Sequence, residues 1–395
     1  MSTLSEDRRR AIEQSGFGEE FHLVQPNNLA FWVYCLLVVA GTVVLSGQIS
    51  VAAAAYSGAL TSGVIAFGLL AVAYLWFIRY EDRYTTVPRT LAAAGFVWGA
   101  VAAVGAFALL GNDAVMNLYA KAFGASFAFD WGAALTAPID EELAKGAGIL
   151  LLLTLAPRLI RTPFDGLIVG ALVGLGFQIS EDISYAFIGA ANAFGDLGAA
   201  WTTIIARTLA SIPSHWMFSG IFGAGLVWFI GRPEVPARRG LGAGLMLTAM
   251  LMHGVWDASS AIGGDSTFAW IVPTAVACVL IGVFAWIYQT TVPVEREWIR
   301  ERMALEVQLG VVTPAELDAL AGSRSTLKRY LRTQPSRRRT EHVLEAEREL
   351  AHQIARDGGA ETAAVQRART AVAQARAAGR RSPKVRDVGS PEPVS

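Results

Sequence analysis

Cysteine and charge are both scarce in this chain, and each shortage excludes a class of protein. The 395 residues include only two cysteines, Cys35 and Cys278, and both lie in apolar runs, so no disulfide framework supports the fold. Charged residues make up 17% of the sequence, whereas soluble proteins carry roughly 25%. Together with a hydrophobic share of 53%, this deficit excludes a single soluble domain.

The few charges are concentrated at the C-terminal end. Residues 292–395 hold 33 of the 66 charged residues, 19 of them Lys or Arg and 14 Asp or Glu. The remaining three quarters of the chain have the composition of a polytopic membrane protein. The sequence contains no nucleic-acid-binding motif and no internal repeat, so the lipid bilayer is an expected partner and nucleic acid is not.

Apolar runs long enough to cross a bilayer predict an all-α polytopic membrane protein with about eight transmembrane helices. The predicted spans are 29–47, 59–78, 91–110, 133–157, 165–190, 213–231, 240–262 and 268–289. They divide the chain into an N-terminal tail, 1–28, a transmembrane region, 29–290, and a polar C-terminal tail, 291–395. Residues 111–131 are predicted to form a loop that either lies at the outer interface or is an ordinary solvated loop.

The positions of arginine and lysine predict the orientation. Arginines occur in the N-terminal tail, in the second, fourth and sixth loops and in the C-terminal tail, and the opposite loops contain only Lys121 and Arg207. Because cytoplasmic loops are the ones rich in Lys and Arg, both termini are expected to be cytoplasmic in a protein of the cell membrane. Arg207 is interpreted as an interface residue. The polar first 28 residues do not resemble a cleavable signal peptide.

The C-terminal tail is predicted to be helical and, over about its last fifteen residues, disordered. Thr313, Pro314 and Glu316 form a capping-box pattern with proline at the first helical position, which predicts a helix start. A basic run follows that either contacts anionic lipid headgroups or forms a solvated charge cluster. Its residues are Lys328, Arg329, Arg332, Arg337, Arg338 and Arg339.

Small residues, glycine above all, mark the fourth to seventh spans as closely packed helices. They recur as Gly166, Gly170 and Gly174, as Gly220 and Gly223, and as Gly240 and Gly244. Small residues at this spacing allow helix backbones to approach one another in a membrane.

The ionisable residues inside the predicted spans are confined to the fourth to seventh helices. They are Glu141, Glu142 and Lys145, then Glu181 and Asp182, then His215, and finally His253 and Asp257. Charges in hydrocarbon are costly and are tolerated mainly where they face one another or a water-filled cavity. A clustered functional site is therefore the leading hypothesis.

Helix geometry places three of these groups at one depth. Glu141, Glu181 and His253 each lie about nine residues from the outer end of a predicted span, or roughly 13 Å at 1.5 Å per residue. Glu141 and Lys145 are spaced i, i+4, as are His253 and Asp257, so an ion pair and an oriented imidazole are expected. Such groups can activate water in two ways. Histidines and a glutamate can bind a divalent metal while another glutamate acts as base, or a glutamate can take the proton with the histidines stabilising the oxyanion.

Four segments in order resemble the motifs of the PrsW family of intramembrane proteases. Glu141-Glu142-Leu-Ala-Lys145 resembles its EExxK motif, and Asp165-Gly166 with Gly174-Leu-Gly176-Phe177-Gln-Ile-Ser-Glu181 resembles its second. His215 with Gly220 and Gly223 resembles the third motif and His253-Gly-Val-Trp-Asp257 the fourth. The resemblance covers roughly residues 130–265. Asp182 departs from it, because the family usually has asparagine there.

The resemblance implies a membrane-embedded endopeptidase that cleaves a membrane-anchored protein, the family's known example being an anti-sigma factor. It implies a catalytic set of Glu141, Glu142, Lys145, Glu181, His215, His253 and Asp257. Glu181, His215 and His253 are the metal ligands if Zn²⁺ or another divalent ion is bound, and a metal-free mechanism is the alternative. An ion-coupled transporter or channel would use the same residues as a relay. A scaffold with a relic site is the third hypothesis.

Overall fold

The computed structural model describes residues 2–85, 87–264 and 268–378, and within these residues the chain is helical almost throughout and contains no β-strand. The predicted disorder near the C-terminus lies outside the described residues. Internal contacts divide the protein into two compact units. The bundle unit is Gln14–Glu295, and the tail unit comprises the described parts of Met1–Glu13 and Arg296–Ser395.

The helices follow one another closely along the chain. They are α1 (Ser2–Ser15), α2 (Leu29–Ala55), α3 (Ser57–Glu81), α4 (Arg89–Val97), a π-helical segment (Trp98–Ala108), α5 (Leu109–Phe123), α6 (Ala125–Leu155), α7 (Pro163–Asn192), α8 (Leu197–Ala210), α9 (His215–Ile230), α10 (Arg239–Asp257), α11 (Ser259–Gly263), α12 (Phe268–Gln308), α13 (Pro314–Ala321), α14 (Arg324–Arg332), α15 (Arg337–Arg356) and α16 (Ala363–Ala378).

Among the described residues, five helical stretches are long and apolar enough to cross a membrane, which makes the chain an integral membrane protein. They are Leu29–Ala55, Ser57–Glu81, Arg89–Phe123, Pro163–Asn192 and Trp270–Gln308. These correspond to the first, second, third, fifth and eighth predicted spans. The other three predictions fall on α6, α9 and α10. α6 carries Glu141, Glu142 and Lys145, and α9 has only 16 residues.

Helix α7 lies at the centre of the bundle unit. Thr162 and Asp165 form a capping box at its start, with Pro163 at the first helical position. In its most apolar window 94% of the residues are buried, against 17% for α2. α7 packs mainly against α9, α3 and the π-helical segment. Polar residues on α7 therefore face protein rather than lipid.

Glycine allows α7 and α9 to touch through their backbones. A Cβ on Gly170 would lie 2.2 Å from the carbonyl oxygen of Ser219, and one on Gly174 would lie 2.2 Å from that of His215. The predicted close approach at these glycines is confirmed. The prediction fails for Gly240 and Gly244, where a Cβ would meet nothing within 4 Å, because those positions of α10 face open space.

The predicted loop over 111–131 is wrong, because this segment is helical. α5 continues to Phe123, and α6 begins at Ala125. Only Gly124 interrupts them, with a φ of 95° that favours glycine. Residues 109–123 contain no proline and only one glycine, so nothing in the chain stops the helix earlier. As a helix, α5 packs against α6, which carries Glu141 and Glu142.

The tail unit is held together by buried arginine and glutamate pairs. The helix start predicted at Pro314 is confirmed, with Thr313 and Glu316 forming the capping box. Arg8 Nη2 donates to Glu306 Oε1 at 2.8 Å, and Arg369 Nε donates to Glu306 Oε2 at 2.8 Å. Each oxygen of this buried carboxylate therefore has an arginine donor.

A second pair of carboxylates in the tail unit shares one arginine. Arg376 Nη2 pairs with Glu316 and donates to Glu347 Oε1 at 2.8 Å. Burial and the nearby Glu316 carboxylate raise the pKa of Glu347 to about 8, although Arg376 acts in the opposite direction.

Candidate active site

Lys145 is the centre of the polar cluster in the bundle unit. Its Nζ donates to Glu141 Oε2 at 3.2 Å, to Glu142 Oε1 at 2.8 Å and to His215 Nδ1 at 3.0 Å. An ammonium group has three N–H donors, so all three are used. The ammonium also lies 3.8 Å from the ring centroid of Phe177. The predicted i, i+4 pair of Glu141 and Lys145 is thus confirmed within a larger network.

His215 begins α9 and links Lys145 to Glu181. Because Lys145 can only donate, His215 Nδ1 is the acceptor, and in the neutral ring the proton is on Nε2. His215 Nε2 lies 3.0 Å from Glu181 Oε2 and donates to it. The hydrogen-bond network therefore assigns one tautomer to this imidazole.

His253 on α10 faces both glutamates of α6. Its Nδ1 lies 3.2 Å from Glu142 Oε1, and its Nε2 lies 3.8 Å from Glu141 Oε2 and 3.5 Å from Asp257 Oδ2. The ring stacks on Phe218 with centroids 4.9 Å apart, and only 2% of the residue is exposed. The expected proximity of His253 and Asp257 is present.

Arg207 closes the far side of the cluster. Its guanidinium pairs with both Glu181 and Asp182 and lies 4.2 Å from the ring centroid of Tyr185. The interpretation of Arg207 as an interface residue is therefore wrong. The two acids draw its side chain into the bundle, because ion pairing reduces the cost of burying them.

The cluster opens onto a cavity of about 280 Å³. Glu141, Glu181, His215, His253 and Asp257 all line it. Glu142 is fully buried and is not among the lining residues. The two glutamates of the EExxK motif thus differ: Glu141 faces the space that a substrate or water can enter, and Glu142 is enclosed.

Two contacting residues were missed by the sequence analysis. Asn112 Nδ2 donates to Glu141 Oε1 at 3.1 Å, and Ser219 Oγ donates to Glu142 Oε2 at 3.2 Å. Ser219 lies one helical turn after His215, a spacing that could have indicated it. Asn112 fell in the segment predicted to be a loop, so no periodicity placed it near Glu141.

The donor set fits a divalent metal ion. Ligand atoms of Glu141, His215 and His253 all lie within 4.8 Å of one another. Two imidazoles and a carboxylate are the donors that zinc hydrolases use. In the described part of the chain, two fixed cations, Lys145 and Arg207, are surrounded by five carboxylates, those of Glu141, Glu142, Glu181, Asp182 and Asp257. Such an excess of acid favours uptake of positive charge.

A buried set of glutamates and histidines beside a cavity, in a helical membrane bundle, has the groups of a membrane-embedded hydrolase. A family profile described as "PrsW family intramembrane metalloprotease" matches residues 87–287, just over half of the chain. The protein therefore belongs to the PrsW family. No curated protein and no solved structure gives a significant match.

Proposed function

We propose that this protein is an intramembrane endopeptidase that hydrolyses a peptide bond of a membrane-anchored protein, and that Glu141 is its general base. The observation that carries the proposal is the convergence of Glu141, His215 and His253 on one cavity wall. The family adds the reaction class, since it is a family of intramembrane proteases. An anti-sigma factor is the substrate to test first, on the family resemblance alone.

The proposed reaction uses water held beside Glu141. The carboxylate takes a proton from water as the water oxygen attacks the scissile carbonyl carbon. The carbonyl oxygen becomes an oxyanion, which the imidazole N–H group of His253 stabilises, since both ring nitrogens of His215 are already bonded to Lys145 and Glu181. Glu141 then returns the proton to the leaving amide nitrogen as the carbon–nitrogen bond breaks. Water is consumed, and a carboxyl and an amino terminus are formed.

The other members of the proposed site orient these groups. Lys145 fixes Glu141, Glu142 and His215, and Glu181 accepts from His215 and sets its tautomer. Asp257 lies beside His253 Nε2. Loss of any one leaves a buried charge without its partner, which is costly in a low-dielectric site.

A divalent ion such as Zn²⁺ is the alternative form of the same site. Glu141, His215 and His253 would hold it, in place of the set Glu181, His215 and His253 predicted from the sequence. When bound it would supply a Lewis acid for the carbonyl, and Glu141 would then be a ligand. Glu181 is the less favourable ligand, because the ligand atoms that lie within 4.8 Å of one another belong to Glu141, His215 and His253, and Glu181 pairs with Arg207.

We also propose eight membrane crossings with both termini cytoplasmic in the cell membrane. Five stretches qualify by length and apolarity, and α6, α9 and α10 would be the other three. These three carry the site, and its polar residues lower the apolarity of α6. The arginines of the predicted cytoplasmic loops support the orientation.

The direct test compares new protein N-termini in membranes of cells that produce the wild type or Glu141→Gln. The proposal expects termini inside or beside a transmembrane segment of a single-span protein, present only with the wild type. Identical termini in both membranes would refute it. Solute uptake by proteoliposomes that requires Glu181, without any new termini, would instead support the transporter hypothesis.

A further inference from the structure

The basic run of the tail unit is a feature that peptide hydrolysis does not explain. Residues 324–339 contain seven Lys or Arg and no Asp or Glu. The run forms α14 and the first turn of α15. A solvated surface normally mixes both signs of charge, so this stretch is unusual within a tail that has 14 acids.

The apolar residues of α14 determine which way its charges point. Leu331 is buried with Ala319, Leu320 and Leu344, and Leu327 packs against the same cluster. Three basic residues of α14 lie outside this cluster and are exposed: Lys328, Arg329 and Arg332. Packing of the two leucines therefore orients α14 so that these cations lie at the surface of the tail unit.

Helix stability does not account for the arginines of α15. Arg337, Arg338 and Arg339 occupy its first turn, which has no acidic residue, and Ser336 makes no side-chain capping bond. The N-terminal end of a helix carries partial positive charge, so cations there are unfavourable. A negatively charged ligand would reverse that repulsion.

Three of the cations surround one concavity. Lys328 and Arg332 of α14 and Arg337 of α15 line a cavity of about 390 Å³, with Leu331 as its remaining lining residue. Arg337 Nε donates to Glu341 Oε1 at 2.8 Å. This pair is exposed, and such pairs hold their geometry weakly.

We propose that Lys328, Arg332 and Arg337 form a binding site for a phosphate group, carried either by an anionic phospholipid or by a small soluble phosphate compound. Arginine guanidinium groups match phosphate oxygens in pairs, and lysine adds a point charge. An acidic peptide would fit less well, because a carboxylate offers two oxygens to three cations.

The test measures binding of inorganic phosphate to the full chain in phosphatidylcholine nanodiscs by equilibrium dialysis. Arg332→Ala/Arg337→Ala removes one lining arginine from each helix. Arg329→Ala/Arg338→Ala is the matched control, because it removes one exposed arginine from each helix outside the concavity. We expect the first variant to lose affinity by about tenfold or more, as for lost charge-assisted hydrogen bonds, and the control to keep it.

Two results would overturn the site: no saturable binding by the wild type, or equal losses in both double variants. If Arg332→Ala/Arg337→Ala fails to fold, Arg332→Lys/Arg337→Lys keeps the charge but removes the paired donors and should still weaken binding. Nanodiscs that also contain phosphatidylglycerol identify the source. Loss of inorganic phosphate binding there indicates the lipid headgroup, and unchanged binding indicates a soluble compound.

Discussion

Two of the buried charge clusters in the described part of the chain, one in each unit, are built from different bases. In the tail unit, Glu306 is held by Arg8 and Arg369, and arginine stays protonated under all physiological conditions. In the bundle unit, Glu141 is held by Lys145 and faces two histidines, whose protonation can change. Burial of charge alone therefore does not identify a reactive site.

The second difference is access. Glu306 is fully buried between its arginine partners. Glu141 is just as poorly exposed on average, with 2% of its surface accessible, yet it lines a cavity together with His215 and His253. Glu141 therefore differs from Glu306 in having both a titratable neighbour and a space in front of it, the two features on which its proposed role depends.

The largest effect is expected from neutralising the carboxylate that lines the cavity. Glu141→Gln should lower the cleavage rate by about 10²–10⁴-fold, the usual contribution of a general base. The assay follows cleavage of the protein identified by the N-terminal comparison, with enzyme reconstituted in liposomes. Glu306→Gln in the tail unit is the control, and its rate per folded molecule should match the wild type. Equal losses in both variants would contradict the distinction drawn between the clusters.

The second largest effect is expected on metal binding by the cluster in the bundle unit. If the bundle cluster binds zinc, His253→Ala should reduce zinc affinity by more than the roughly 10–100-fold typical of a residue outside the ligand set. Glu141→Gln should reduce zinc affinity by a similarly large factor. Glu181→Gln should reduce it by only about 10–100-fold, as for a residue outside the ligand set. Zinc retained after dialysis is measured by mass spectrometry. If the wild type still cleaves substrate after exhaustive chelation, with no zinc retained, the metal-dependent form of the site is refuted and the metal-free form remains.

A smaller effect is expected at Asn112, which supports Glu141 without replacing it. Asn112→Ala removes the donor to Glu141 Oε1 and should lower turnover by about tenfold, the range for a hydrogen bond to a charged group. KM should stay unchanged, because substrate contacts are kept. Asp113→Asn is the control, since it changes the neighbouring lining residue instead. A change in KM alone would make Asn112 a substrate-binding residue.

The smallest effect concerns the pH dependence of the tail unit. A carboxyl group whose pKa is raised by folding, to about 8 for Glu347, stabilises the fold at low pH and loses that contribution as pH rises toward 8. Burial lowers the pKa of His352 to about 4, so this histidine adds a smaller slope of the opposite sign, which fades as the pH rises above the unfolded-state value of 6.5. Hydrogen exchange of α15, corrected for intrinsic rates, should show protection falling from pH 6.5 to 8. Glu347→Gln should flatten this pH dependence of protection. An unchanged slope in the variant would refute the assignment of the dependence to Glu347.

Much of the candidate site was predictable because the spacing of residues along a helix determines which side chains lie on the same face. Glu141 with Lys145, and His253 with Asp257, lie one turn apart in any helix, so their proximity followed from the sequence alone. Apolar runs likewise predicted five helices that qualify as membrane spans. Contacts between helices could not be obtained this way, since they depend on which helices pack together.

The failures have different physical origins. Arg207 was interpreted from its place near the end of an apolar helix, but the carboxylates of Glu181 and Asp182 pair with its side chain, a long-range contact that the local pattern does not show. Asn112 was assigned to a loop because the apolar run ends before it, although the helix continues through polar residues as far as Gly124.

Gly170 and Gly174 also restrict how a membrane-anchored chain can reach the cavity. The backbone of α9 touches α7 at both positions, so the two helices cannot separate by rotating side chains. They would have to move as whole helices, and α9 would carry His215 away from Lys145 and Glu181. A lateral gate that opened between α7 and α9 would therefore break the contacts of His215 that hold the site together. Under the proposed function, the substrate is therefore expected to enter from a side of the bundle other than the α7–α9 seam.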